Sequence, residues 1–456
     1  MKEYDVLVIG SGCGSMIADA AMAQGLSVAL VDKGPYGGTC LNLGCIPSKV
    51  LVFAADRVME IRESKKLGID AEIRDIDFSA IMERMRKGRR ESHGFLKEQV
   101  KNVQGLDFYE GEGHFVSDYT VEVSGERLRG KKVFIASGSR PFIPPIKGLD
   151  SVDYLTNEEV LELTERPQSM VIIGGGYIAV EFGHFFAAMG TEITILEMMD
   201  RLVQSEEPEI SALLERELGK RMAIHTRTTA EEVRRADGGA IVVAKDTTTG
   251  KLREVRAERV LVAVGRRSNA DILKVENTGV EVDERGFIKV NEFMETSKRN
   301  IYAPGDANGK HMFLHVANKE AEVAWHNAYN KKKVAMDYSA IPHAVYSHPQ
   351  VAAVGMTEAH AAEHYHIAVG RVKYSDTAKG EAMMEENGFA KAIVDHHTDA
   401  ILGFHIVGPY APILIQEVTN DMATGANSRG ITEGLHIHPS LPELIQRTLE
   451  SLEEPD

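Results

Sequence analysis

Two runs of branched apolar residues, each ending in a cluster of glycines, dominate the pattern of the chain. Val6-Leu7-Val8-Ile9 has no polar alternation, which predicts a parallel strand buried on both faces. It leads into Gly10-Ser11-Gly12-Cys13-Gly14-Ser15, an alanine-rich helix, and a second strand Val28-Ala29-Leu30-Val31 that ends at Asp32. The pattern returns at Val171-Ile172-Ile173, followed by Gly174-Gly175-Gly176-Tyr177-Ile178-Ala179, a helix, and Ile193-Thr194-Ile195-Leu196 ending at Glu197. The acidic strand end follows the first glycine by 22 residues in one unit and 23 in the other. Strand, glycine turn, helix and acidic strand end at that spacing make a dinucleotide-binding βαβ unit, here used twice. Ser15 stands where the strict fingerprint has its third glycine. A small serine suits the helix–strand packing of that position, and Gly14 leaves the loop backbone open.

Between the units, Val133-Phe134-Ile135-Ala136-Ser137-Gly138-Ser139-Arg140-Pro141 predicts a strand and a turn. Val260-Leu261-Val262-Ala263-Val264-Gly265-Arg266 echoes it after the second unit, which points to two homologous domains joined through the proline-rich stretch 141–145. Towards the C-terminus the pattern shortens: Gly388–Val394 and Ile401–Val407 read as strands of an antiparallel sheet, with helices after them. Leu452-Glu453-Glu454-Pro455-Asp456 reads as a frayed acidic tail.

Composition narrows the partners more than the fold. At 456 residues there is room for about three domains. A net charge of −16 argues against nucleic acid, whose phosphates demand a basic surface. No apolar run approaches the roughly 20 residues of a membrane span, and the chain opens directly into a strand without a basic leader. A cytoplasmic protein with no membrane partner is expected. Three cysteines are too few for a disulfide scaffold, and Cys13, inside the first glycine loop, reads as a small buried residue without redox work.

The other two cysteines lie in Gly37-Gly38-Thr39-Cys40-Leu41-Asn42-Leu43-Gly44-Cys45-Ile46-Pro47-Ser48-Lys49. Gly44 lets the backbone turn between them, and Pro47 suits the start of a helix. Cys45 would then sit at a helix N-terminus, where unpaired N–H groups and the macrodipole favour a thiolate. Lys49 follows one helical turn later, on the same face. A structural disulfide or half of a zinc site would draw on the same residue types. Zinc needs about four ligands, no second close Cys/His pair accompanies this one, and no metal is expected.

On these residues the chain resembles the class I flavin-dependent pyridine nucleotide–disulfide oxidoreductases, the family of dihydrolipoamide dehydrogenase, glutathione reductase, mycothione reductase and mercuric reductase. The resemblance implies an α/β fold with two Rossmann-like βαβ nucleotide-binding domains plus a C-terminal α+β dimerisation domain. FAD would be bound by residues 1–147 and a return segment 269–338, NAD by 148–268, with the dimerisation domain over 339–456. The FAD pyrophosphate would sit on the helix N-terminus behind Gly10, Gly12 and Gly14, and Asp32 would take a ribose hydroxyl. Gly38, Thr39, Ser137 and Gly138 would complete that site. Asn300-Ile301-Tyr302-Ala303-Pro304-Gly305-Asp306 resembles the second flavin motif, so Asp306 would hold the ribityl chain. NAD would lie against Gly174, Gly176, Ala179 and Gly265. Glu197 would accept a hydrogen bond from a free 2′-hydroxyl and repel a 2′-phosphate, although Arg201 could approach the same pocket. Tyr177 falls where the family has a tyrosine over the nicotinamide face of the flavin; an ordinary buried aromatic is the competing reading.

The same resemblance makes Cys40–Cys45 the redox disulfide, with Cys45 nearer the flavin and Cys40 exchanging with substrate. Lys49 would lie near the flavin, its charge compensated by Glu181. His438-Pro439-Ser440-Leu441-Pro442-Glu443 resembles the C-terminal signature of an acid–base histidine with a supporting glutamate, reaching the disulfide of the other subunit of a homodimer. His436 and His348 are not expected to be catalytic.

The implied substrate is a small dithiol or disulfide. Glu197 and the Cys–Lys motif resemble dihydrolipoamide dehydrogenase, which would bring a 2-oxoacid dehydrogenase complex as partner. His315-Val316-Ala317-Asn318, Ser347-His348-Pro349-Gln350 and the His-Pro ending look more like mycothione reductase, an NADPH enzyme. A mercuric reductase would need cysteines after Cys45, and there are none. A flavin diaphorase or NADH oxidase would not need both Cys40 and His438, and a non-catalytic complex subunit would not need two nucleotide sites.

Overall fold

The computed structural model describes residues 1–453, and the chain divides into two compact units. One comprises Met1–Ser48, Glu83–Phe142 and Gly265–Asp337; the other comprises Lys49–Met82, Ile143–Val264 and the chain from Tyr338 on.

In the first unit the unbroken apolar run becomes the middle of a sheet. Strand β1 (Lys2–Ile9) lies parallel to β2 (Val28–Asp32), in register Val6↔Val28, and to Glu126–Ile135 on its other side, in register Ile9↔Ile135. Helix α1 (Gly14–Ala23) crosses between β1 and β2. The sheet runs Leu106–Glu110, β2, β1, Glu126–Ile135, Thr120–Val123, His114–Ser117, with Ile301–Tyr302 also paired to Glu126–Ile135. Leu7, Ile9, Val31, Val133, Ile135 and Ile301 are buried in a core cluster on one face, and Val6, Val8, Leu30 and Phe134 are buried on the other, so burial on both faces explains why these strands carry no polar alternation.

Helix α2 (Cys45–Glu63) begins in the first unit and belongs to the second from Lys49 on. The helical stretch Gly38–Leu67 is long and apolar enough, by length and composition, to cross a membrane, which corrects the expectation that no stretch is. Its polar residues are nevertheless tied into the second unit: Asp56 to His184, Glu63 to His348, and Arg62 to the Ala188 carbonyl.

The second unit repeats the first motif with β3 (Ser169–Ile173), α3 (Tyr177–Ala188) and β4 (Glu192–Leu196). Its parallel sheet runs Ala223–His225, β4, β3, Arg259–Val262. Helix α4 (Pro208–Leu218) follows β4. Beyond residue 338 come five antiparallel strands, β5 (Pro342–Val345), β6 (Val351–Gly355), β7 (Ile367–Lys373), β8 (Phe389–Asp395) and β9 (Ile401–Val407), in the spatial order β5-β6-β9-β8-β7. Helix α5 (Glu443–Glu450) packs on this sheet through Leu444 and Ile445. The C-terminal end is less frayed than expected: Glu453 and Val369 exchange both backbone hydrogen bonds, at 2.8 and 3.1 Å. Glu454, Pro455 and Asp456 lie outside the described residues.

One buried charge joins the nucleotide half of this unit to its C-terminal sheet. Lys391 of β8 is 2% exposed. Its ammonium donates to Glu207, just ahead of α4, at 2.6 Å, and to Glu209 and Glu358, each at 2.7 Å. Arg371 of β7 caps the same Glu209 and Glu358 carboxylates. Burial works against the Lys391 ammonium, but three carboxylate acceptors outweigh it and hold its pKa above the ordinary lysine range.

Candidate active site

The first glycine loop is built for a ligand to come close to the backbone. Gly10 has φ +100°, and a Cβ there would stand 2.2 Å from the Ala136 carbonyl oxygen, so no other residue fits. Gly12 has open space on its Cβ side except for the Cα of Gly38 at 3.9 Å. A side chain on Gly38 would press to 2.8 Å from Gly12. Gly14, expected to keep the loop open, does the tight helix–strand packing instead, its absent Cβ leaving room for Val8 Cγ1 at 2.8 Å. Ser15 is thereby released from that packing, and its hydroxyl donates to the Ser11 carbonyl at 2.6 Å, closing the first turn of α1.

Asp32 accepts the backbone N–H groups of Ser11 and Gly34, both at 2.6 Å, so the strand end is locked to the loop. Asp306 accepts from the Ser139 hydroxyl at 2.7 Å, and Arg266 braces Ser139 with bonds of 2.7 Å to its hydroxyl and to its carbonyl. The Ser137 hydroxyl, next to Gly138, is buried with no hydrogen-bond partner among the described residues. A glycine cradle at a helix N-terminus, a carboxylate at the strand end and an orphaned buried hydroxyl fit the pyrophosphate and sugar oxygens of FAD. Cys13 sits beneath this loop; burial first, then the Asp306 and Glu320 carboxylates, push its thiol up to about 12 and keep it inert.

Cys40 lies half-buried in the short helix Gly38–Asn42, and Cys45 is the exposed first residue of α2. The turn between them is compact: Leu43 N–H bonds the Thr39 carbonyl at 2.8 Å, and a Cβ on Gly44 would come within 3.2 Å of that oxygen. Asn42 pins the turn by donating to the carbonyls of Tyr36 and Gly38, both at 2.9 Å. Pro47 is the third residue of α2 rather than the first. Its missing N–H still falls in the first turn, where no intrahelical partner exists. Cys45 is therefore at the positive end of the helix dipole.

Lys49 meets Glu181 of α3 in a two-pronged ion pair, 2.9 and 2.8 Å. Tyr346, which sequence reasoning missed, completes it: its backbone N–H bonds Glu181 at 3.1 Å, and its ring centre lies 4.6 Å from the Lys49 ammonium. Burial pushes the Glu181 carboxyl up, and Lys49 and the Tyr346 N–H pull against that shift. The neighbouring residues Ser347-His348-Pro349-Gln350 were the available signal.

In the second glycine loop Gly174 repeats Gly10, with φ +111° and 2.3 Å from a Cβ to the Ala263 carbonyl. Gly176 has open space where its side chain would be, and Ala179 is buried behind it. Glu197 accepts the N–H of Gly175 through one oxygen and that of Met199, at 2.7 Å, through the other. Arg201 turns to its own loop, donating to the Gln204 carbonyl at 3.0 Å. Tyr177 bonds Ser205 at 2.7 Å and Glu206 at 3.1 Å, and its ring stacks on His343, centroids 6.0 Å apart. His343, also missed in the sequence, is 2.7 Å from the same Glu206 oxygen. Burial tends to raise the Glu206 carboxyl, but His343 outweighs it and holds it low. Gly265 has φ +118° and accepts the Phe142 N–H at 3.0 Å.

His438 Nδ1 is 2.8 Å from Glu443, and Glu443 also accepts the Ser440 N–H at 2.9 Å. That places the carboxylate at the first residue of α5 and leaves Nε2 of an exposed imidazole facing outward. The bond to His438, then the Ser440 N–H, holds the Glu443 carboxyl below its ordinary range. His436 and His348 instead pair with Glu417 and Glu63.

Residues 4–321 match the pyridine nucleotide-disulphide oxidoreductase family, and 341–449 match that family's dimerisation domain. The chain belongs to the pyridine nucleotide-disulphide oxidoreductases. It is 34% identical over 463 residues to mycothione reductase of Mycobacterium tuberculosis (strain H37Rv), covering 98% of this chain and 99% of that one. It is equally 34% identical to dihydrolipoyl dehydrogenase of Haloferax volcanii, covering 98% and 96%. Among solved structures, the Cu(II) complex of the HOCl-induced flavoprotein disulfide reductase RclA from Escherichia coli superposes with a TM-score of 0.88 at 26% identity, over 99% of both chains. As an oxidoreductase of this family the chain is an FAD-containing, NAD(P)H-dependent enzyme, and the dimerisation domain supports a homodimer.

Proposed function

We propose that this enzyme is an NAD-dependent dihydrolipoamide dehydrogenase, acting in the cytoplasm as a homodimer and serving a 2-oxoacid dehydrogenase complex. The observation that carries the cofactor choice is Glu197, a carboxylate at the end of β4 beside the open Gly176. A carboxylate has about four lone-pair sites; two backbone N–H groups use part of them and hold it in place. What remains can accept a ribose hydroxyl and repels a phosphate.

Bound FAD supplies the two-electron carrier between the nicotinamide and the cysteine pair. The chain's own residues do the thiol chemistry. A substrate thiolate would attack Cys40 of the Cys40–Cys45 disulfide, expelling Cys45 as a thiolate that the start of α2 stabilises. The second substrate thiol would then close on the mixed disulfide and release Cys40. His438 Nε2 would take up the substrate proton, and Glu443 fixes the tautomer and balances the imidazolium. Lys49 places one positive charge at this end of α2, paired with Glu181 at 2.8 Å.

The test is NAD⁺ reduction by dihydrolipoamide with FAD-loaded protein, NADP⁺ run alongside. NAD⁺-specific turnover that vanishes in Cys40→Ser and Cys45→Ser, with flavin retained, is the expected result; turnover surviving in both variants would sink the reading. The equal identity to mycothione reductase favours one second reading, an NADPH-driven reductase of another low-molecular-weight disulfide. It takes over if dihydrolipoamide gives no turnover while NADPH still drives disulfide reduction.

A further inference from the structure

The C-terminal sheet ends in a side-chain cluster that the dithiol chemistry does not use. Strands β7 and β8 pair as far as Ile367 and Asp395. One further backbone bond, His396 N–H to the His366 carbonyl at 2.8 Å, extends the ladder by a step. Residues directly opposite on antiparallel strands share a face, and the His366 and His396 rings meet there with centroids 4.9 Å apart. His397 follows, its backbone N–H held by Asp395 Oδ1 at 2.8 Å. Its ring centroid is 5.3 Å from that of His366 and 5.6 Å from that of His396. Three exposed imidazoles thus stand at the corners of a nearly equilateral triangle.

We propose that His366, His396 and His397 form a binding site for a late first-row divalent metal ion of the zinc, copper and nickel class. An ion holding three imidazole nitrogens tetrahedrally at about 2.0–2.1 Å spaces their ring centres roughly 5 Å apart. The triangle has that spacing. The last side-chain torsion of histidine is broad and two-fold, so each ring can aim a nitrogen inward with its centre nearly unmoved. Neutral imidazole suits borderline ions, whereas calcium and magnesium take oxygen ligands. Three protein ligands leave the fourth position to water. The acidic trio Glu207, Glu209 and Glu358 differs in both respects: its carboxylate oxygens already lie within 4.8 Å of one another but hold the Lys391 ammonium among them, whereas the imidazole nitrogens converge only once the rings turn. A bound ion would clip the turn after β8 to the start of β7.

The probe is Zn(II) alone, titrated calorimetrically into untagged, FAD-loaded full-length protein with its cysteines oxidised so that they cannot ligate. The expected result is one ion per chain, with affinity falling roughly tenfold or more in His396→Ala and in His366→Ala. His364→Ala should bind as the parent does, and flavin absorbance with dithiol turnover reports that each variant is folded. Cu(II) bound to the parent protein gives a second readout independent of any variant: electron paramagnetic resonance should show coupling to several imidazole nitrogens. Zinc binding that is absent, or that survives both histidine substitutions unchanged, overturns the site, as does a copper spectrum with oxygen ligands only.

Discussion

A histidine beside a carboxylate does different work according to which partner is buried, and this chain holds three versions. In His343–Glu206 the acid is buried, and the histidine keeps it charged. In His184–Asp56 the histidine is buried and kept neutral. In His438–Glu443 the imidazole is open, and its bond holds the carboxylate below its ordinary range. Glu443→Gln removes the charge of the carboxylate that anchors the His438 ring at 2.8 Å. Maximal turnover should fall by about one to two orders of magnitude. Unchanged turnover would remove Glu443 from the proton path. At Glu197 the expected change is in the nucleotide: Glu197→Ala should raise the KM for NAD⁺ about tenfold with kcat nearly intact, and lower the KM for NADP⁺, as steady-state kinetics with both nucleotides would read. Residues such as Gly10 and Gly174 are legible in the sequence because a backbone contact leaves only one residue type possible. Tyr346, His343 and Arg266 are not. Each acts through a partner more than 120 positions away in the chain, and none has a residue type that its role demands.

At the scale of elements, α2 carries Cys45 at its start, buries the stripe Leu51, Val52, Ala55 and Val58, and is fixed along its length by polar contacts as well. His184, fully buried on α3, is the middle fixing point, bonded to Asp56 at 3.0 Å. Burial depresses its pKa from 6.5 to about 4, with Asp56 opposing. An unfolded chain binds that proton at about pH 6.5 while the folded one does not, so stability falls as pH drops from about 6.5 towards 4 and is flat above. The effect is on the order of 3 kcal/mol over the window, at about 1.4 per pH unit. Thermal unfolding of His184→Asn followed across that range should show a shallower slope than the parent. An identical slope would mean that other groups set the acid sensitivity. The βαβ units are readable from sequence because one residue pattern, apolar run and glycine turn, encodes them locally. The helix start at Cys45 is displaced from Pro47 because proline is tolerated throughout a first turn, so it bounds a helix start without locating it.

For the whole molecule the telling feature is where the open histidine sits. Leu435 and Ile437, just before His438, are fully and 80% exposed, an arrangement that suits an interface better than solvent. Co-expression of Cys45→Ser with His438→Gln separates the two possibilities. If His438 serves the partner's cysteines, mixed dimers regain one competent site of two; if it serves its own chain, every site keeps a lesion and activity stays at the level of the single variants. Isolated mixed dimers assayed for dihydrolipoamide oxidation would decide between these outcomes.

Lys391 bears on how such a chain can be recombined. A lineage that exchanged the region from Tyr338 on for a relative's would inherit Glu207 and Glu209 from the retained half, two acids that were never meant to face each other without an ammonium between them. The exchange succeeds only if the incoming strand also brings a lysine at that one position. A single side chain thus acts as a password between two segments of sequence, and hybrids should be viable or not according to whether it matches.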